Sequence, residues 1–404
     1  MPYIALQIFG IEVVLAEMGV PIEISLVIAF VILAAYTYTG GLRAPAMICI
    51  VKDVCIWLVV IVAIIYIPMR LGGFGQIFEA VQRKAAHNPA TFHELLSPTQ
   101  YSAYATLALG SALALFLYPH TLTGILSTNS RKVVKRNAAL LPAYTLLLGL
   151  MALFGFMAIA AGIKPSPIYK ANSALPALFA QMFPPWFAGF AFAAIAIGAL
   201  APAAIMSIAA SNLFTRNIYK EFFRPTCTER EESTVAKRVS LVIKFGALAF
   251  ILFLPTNDAI NFQLLGGIWI IQTLPVVFLG LYTNWFHRYA LAIGLIGGLI
   301  AGTWMVVIQN FVSSVYTISI AGLRIPIYAA ISALVVNLVI CVVFTLLFRA
   351  LGISAGRDAT RPADFEANPV LGSRTTALEA QISQNALAED TAEKTQESAI
   401  NWRV

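Results

Sequence analysis

The chain has 404 residues, of which 59% are hydrophobic and 11% charged, with a mean hydropathy of +0.82 and a formal net charge of +7. A soluble domain carries about 25% charged residues and must turn polar groups outward to cover its surface, so this composition excludes a soluble fold and makes lipid the solvent. The basic residues cluster in short stretches between apolar runs, which reads as membrane topology and excludes a nucleic-acid surface.

A spanning helix needs about 20 predominantly apolar residues. By that measure about ten spans are predicted in an all-α, polytopic chain, near residues 3–19, 22–39, 44–68, 101–124, 138–162, 185–212, 239–255, 259–284, 289–312 and 325–349. Met1 leads into Pro2-Tyr3-Ile4 with no basic region and no small-residue cleavage site, so no secretory signal is expected. Alternate loops differ in charge. One set holds Arg43, Arg131, Lys132, Lys135, Arg136, Arg216, Lys220, Arg224, Arg230, Lys237, Arg238 and Arg288. The other holds Arg70, Arg83, Lys84, Lys164, Lys170 and Arg324. Twelve against six places the first set in the cytoplasm and predicts a multi-pass protein of the cell membrane. Two longer segments, Gly72–Gln100 with an amphipathic stretch from Phe74 to Ala86, and Ile163–Phe183 with three prolines, fall on the opposite side. The core is drawn at residues 1–350, and the polar segment 351–404 as a disordered cytoplasmic tail.

Three features carry a cost in the bilayer. The first is Lys52-Asp53 in the third span, because a charge at membrane depth costs roughly 2.5–3.5 kcal/mol on insertion scales. Adjacent helical residues point about 100° apart, so the two are not expected to pair with each other. The second is Gly198–Ser211, whose small residues allow close helix approach and whose Pro202 frees a carbonyl from the helical ladder. Its carbonyls and hydroxyls are hard oxygen ligands of the kind an alkali cation takes, and equally a packing seam. The third is Gly110–Gly124, where Pro119-His120-Thr121 predicts an interrupted helix beside a substrate. A carboxylate would suit a cavity walled there by Leu115 and Phe116. Glu12, Glu17, Gln272 and Asn337 are read as polar glue between helices. Cys49, Cys55, Cys227 and Cys341 form no CxxC pattern and are read as packing residues. No enzyme fingerprint occurs: GxSxG, HExxH, the P-loop and the dinucleotide motif are all missing, and no enzymatic activity or organic cofactor is expected.

The order of these segments resembles the sodium:solute symporter family over about residues 2–350. Tyr3-Ile4-Ala5 with Gln7, the run Tyr36-Thr37-Tyr38-Thr39-Gly40-Gly41-Leu42-Arg43-Ala44, Ala204-Ile205-Met206-Ser207, and Pro275 followed by Phe278-Leu279-Gly280-Leu281-Tyr282 are similar to successive family segments. The wording GGLRAPAM and SNLFTRNIYK is most similar to the branch that carries monocarboxylates such as lactate, pyruvate, acetate and propionate. The resemblance implies a LeuT-type fold of two inverted five-helix repeats and a secondary symporter for a small organic anion, with an amino-acid (proline-like) or vitamin carrier, or a membrane sensor or scaffold, as alternatives. It also implies that the chain begins where the family's fourth span lies, so that three helices, including the first core helix, are expected to be missing and the chain as written is not expected to transport. The residues carried over are Ser207 and the carbonyl of Ala204 for sodium; Ser111, Pro119 and Thr121, read from the Gly110–Gly124 run itself, are the candidates for the substrate-side helix. Ile208 stands where relatives carry a second hydroxyl, and Lys52-Asp53 falls one helical turn beyond the family's Thr-Asp pair. Coupling to sodium or to a proton through Lys52 and Asp53 are therefore both expectations.

Overall fold

The structure, a computed structural model, describes residues 1–40, 43–89, 92–93, 95–128, 130–253, 259–320 and 322–356. It separates into a unit spanning Met1–Ile353 and a second from Ser354 onward. Gly41 and Leu42 of the resemblance, and the expected tail from 357, lie outside the described residues.

The first unit is a helical bundle. In chain order it contains α1 (Pro2–Glu17), α2 (Ile22–Gly40), α3 (Arg43–Arg70), α4 (Phe74–His87), α5 (Tyr101–Leu117), α6 (Pro119–Leu126), α7 (Arg131–Ala160), α8 (Ala174–Met182) and α9 (Pro185–Phe214). There follow α10 (Glu229–Phe253), α11 (Ala259–Ile270), the short α12 (Gly280–Tyr282), α13 (Arg288–Val307) and α14 (Ala329–Ala350). Seven helical stretches among the described residues are long and apolar enough to cross a membrane. The remaining expected spans fall on α1, with 16 residues, on the shorter apolar stretch Glu23–Tyr38, and on α10, whose first turns are charged.

The span expected at 101–124 is two helices. Tyr118 is extended (φ −61°, ψ 132°) between α5 and α6, and Pro119 opens α6. Proline has no N–H and disfavours the α region for the residue before it, which is why the chain breaks at that point. The amphipathic stretch after Gly73 forms α4, burying Ile77 and Val81 against α7. One element was not anticipated. Residues 315–328, expected as a loop and the start of the last span, form an antiparallel hairpin of β1 (Val315–Ile320) and β2 (Leu323–Tyr328), with Val315 opposite Tyr328. Their β-branched content suits a strand as well as a span end. The hairpin is pinned to α5, where Ser102 Oγ donates to Pro326 O at 2.9 Å and Tyr328 N donates to Thr106 Oγ1 at 3.0 Å.

Helix α9 is the axis of the unit. Ala199, Leu200, Ala203, Ala204 and Met206 belong to one buried apolar cluster, shared with α1, α2, α5, α10, α11 and α14. Phe187, Ala191, Phe192 and Ala194 belong to a second, shared with α3, α4, α7 and α8. Its alanine-rich surface lets α1, α3 and α10 pack closely on different faces. The polar residues expected as glue behave so in part. Gln272 Nε2 donates to Ala330 O (3.2 Å), and Asn337 Nδ2 donates to Gln272 O (2.8 Å), tying the turn that follows α11 to α14. Tyr169 donates to Glu12 at 2.9 Å. Glu17 instead lies exposed at the end of α1.

Candidate functional site

Between the two clusters lies a cavity of about 570 Å³, walled by α1, α3, α7 and α9 and reached by α6. Most of its wall is apolar, from Ile56, Val59, Val60, Met151, Phe154, Phe179 and Ile195. The polar groups are few: Tyr3 and Gln7 on α1, Lys52 on α3, His120 on α6 and Tyr144 on α7. Among the described residues, Lys52 is the one Lys or Arg that lines it. Its side chain is 14% exposed and its Nζ lies 3.5 Å from the Tyr144 hydroxyl and 5.6 Å from that ring's centroid. His120 stacks on Tyr3 at 5.0 Å and tilts against Tyr118 at 5.5 Å.

Lys52 and Asp53 do form an ion pair, Nζ to Oδ1 2.6 Å, which corrects the expectation that neighbours on a helix cannot meet. The angular argument fixes the Cβ directions only. Four methylenes let the ammonium curl back to the next residue, while Asp53 itself stays half exposed. Lys52 thus faces the cavity with its charge partly neutralised from behind.

Of the three residues expected on the substrate-side helix, Pro119 opens α6 and Thr121 is partly buried, both flanking His120 without lining the cavity. Ser111 is exposed on α5, away from it. Leu115 and Phe116, expected as walls, are 43% and 50% exposed on the outer surface of α5. The reason is the face they occupy: the last turn of α5 turns Ala114 and Leu117 into the core, which leaves Leu115 and Phe116 on its outer side.

Ala204 and Ser207 are fully buried on α9. Ser207 Oγ donates to Ala204 O at 2.9 Å, a bond back along the helix. Ser240 on α10 donates to Ser207 Oγ at 3.4 Å, and Ser240 Oγ accepts from the Lys244 ammonium at 2.7 Å. Three oxygens of the hard-ligand kind therefore meet where α9 and α10 touch, beside a buried lysine that the sequence reading passed over. Its sequence signal is a cation within the span expected at 239–255. Among the described residues, no cluster of three His, Cys, Asp or Glu side chains could hold a metal.

The profile of the sodium:solute symporter family matches residues 1–298. A monocarboxylate transport permease protein of Rhizobium johnstonii is 51% identical over 354 residues, covering 87% of this chain and 70% of that protein. A symporter of Bacillus subtilis named YodF is 30% identical over 319 residues, covering 78% of this chain and 63% of its own length. The sodium/proline symporter of Escherichia coli is 24% identical over 221 residues, covering 53% of this chain and 43% of that one. Among solved structures, a Na+-coupled sialic acid symporter in a substrate-bound outward-open state superposes with a TM-score of 0.63 at 16% identity, over 86% of this chain and 72% of that one. The fold is thus the LeuT-like one that the resemblance implied, the chain is an integral membrane protein, and it belongs to the sodium:solute symporter family.

Proposed function

We propose that this chain forms the core of a symporter for small monocarboxylates, with the substrate's carboxylate held at Lys52. The observation that carries the reading is the cavity itself: about 570 Å³, mostly apolar, with a single ammonium and the Tyr144 hydroxyl on one wall. An anion with a short alkyl or keto tail satisfies both parts, since its charge pairs with Lys52 and its carbons lie on Val59, Met151 and Phe154. The permease of R. johnstonii, named for monocarboxylate transport, supports the same class. Pro119 and Thr121 act by setting the angle at which α6 brings His120 to the cavity.

Sodium as the coupling ion is supported by the family and by the Na+-coupled structural neighbour. Ala204 O and Ser207 Oγ would hold it. The Lys52–Asp53 pair is the alternative route, for a proton.

The test is equilibrium binding of labelled pyruvate or lactate to the purified chain in lipid nanodiscs, with and without sodium. Acetate and propionate should compete. Lys52→Met removes a charge-assisted hydrogen bond worth about 1.5–3 kcal/mol, so affinity should fall roughly ten- to a hundredfold. Unchanged affinity in that variant, or competition by proline but by no monocarboxylate, overturns the reading.

A further inference from the structure

A second cavity, of about 480 Å³, adjoins the same helix further towards its basic end. Ile205 of α9 lines the first cavity and Ile208 lines the second, so the two succeed one another within about 4.5 Å of helix rise. The second is polar where the first is apolar. Thr37, Ser211, Asn212, Ser233 and Ser240 present hydroxyls and an amide to it. Four cations, Arg216, Lys220, Lys237 and Lys244, share its wall with two carboxylates, Glu229 and Glu232. Glu232 is already engaged by Arg216 (3.0 Å) and Lys220 (3.1 Å), which leaves the inner end positive.

At that inner end sits Lys244. Its side chain is 2% exposed, and its ammonium donates to Ser240 Oγ at 2.7 Å and reaches Ser240 O at 3.5 Å. Among the described residues no carboxylate lies within ion-pair distance of it. Burying a charge without a counter-charge is costly, because neutral hydroxyls replace only part of the lost hydration. An anion entering the cavity supplies the missing charge, and the Asn212 amide and the Ser233 hydroxyl on its wall are placed to donate to the second oxygen.

We propose that this cavity is a second carboxylate site, in which a small carboxylate leaving Lys52 pairs with Lys244 before reaching the basic end of the bundle. It rests on the reading of the first cavity as a carboxylate site. Two anion stations in successive cavities along α9 would divide a single desolvation barrier into two lower ones.

The experiment is labelled acetate binding to the whole chain in nanodiscs, scored as equivalents bound per chain. The wild type should bind two, and Lys52→Met and Lys244→Met should each bind one, at different residual affinities. Lys244→Arg keeps the charge and should keep both equivalents, which separates loss of charge from loss of structure; gel filtration and thermal melts check that each variant folds. Two equivalents in Lys244→Met, or a loss in Lys244→Arg as complete as in Lys244→Met, overturns the proposal. A single equivalent in the wild type that vanishes in Lys52→Met sinks this site while leaving the first intact. No binding in any form removes both. Sulfate displacing acetate from the Lys244 site as readily as propionate does would also overturn it, since the pocket would then take any oxyanion.

Discussion

Glu232 shows how much a single side chain reveals when its partners are fixed. It lies in the first turn of α10, where hydrogen bonds from the Lys220 ammonium and then the Arg216 guanidinium hold its carboxyl below the ordinary value of 4.5. A carboxyl depressed in the folded state contributes stability above its unfolded value and loses that contribution as pH falls through the folded one. The wild type and Glu232→Gln should therefore differ in melting temperature at neutral pH and converge well below pH 4.5, as followed by thermal unfolding in detergent. A gap that persists at low pH would mean that the pair contributes nothing through its charge. Lys52 was legible in the sequence because a charge in an apolar run stands out on cost alone. Its surroundings were not: Gln7, His120 and Tyr144 come from three other helices, and residue spacing within a span says nothing about which spans touch. Lys244 was missed for a related reason, since its burial depends on α9 packing across it.

Among the elements, α13 packs closely against α14, and the cause lies in one stripe. Gly294, Gly298 and Gly302 recur every four residues, so they share a face of α13. A Cβ at Gly302 would stand 2.7 Å from Ile268 Cγ2, and one at Gly298 would lie 2.9 Å from Asn337 Cβ and run into Gln272. Gly298→Leu should thus cost about 1–3 kcal/mol through overpacking, and it should also break the Gln272–Asn337 bonds that join the turn after α11 to α14. A thermal melt unchanged by this substitution would show that the stripe has slack. The interrupted helix at Pro119 could be read in advance because proline forbids one backbone bond wherever it stands. The hairpin after α13 could not, because its register depends on contacts with α5 that no local pattern encodes.

For the whole molecule, the order of segments carried more information than any one of them. Apolar runs at the right spacing gave the class, and the order of the four short motifs along the chain gave the family. The absolute orientation rests on charge. If the basic loops are cytoplasmic, Cys227, between α9 and α10, should resist an impermeant thiol reagent in intact cells and react after lysis. A cysteine introduced at His87 should react before lysis. Labelling of Cys227 in unbroken cells would invert the topology.

The break at Tyr118 has a further consequence in terms of water. The first N–H groups of any helix have no partner within it, and Pro119 has no N–H at all, so the amide of His120 lies at the start of α6 outside the helical ladder. Most backbone amides in a span are locked to their own helix and shielded by lipid, and they exchange with deuterium only when the helix opens. This one needs no unfolding. It sits on a residue that lines the Lys52 cavity, so its exchange rate should follow the arrival of solvent there. The kink that brings α6 inward thus leaves one amide at which deuterium exchange should report how readily water reaches that chamber.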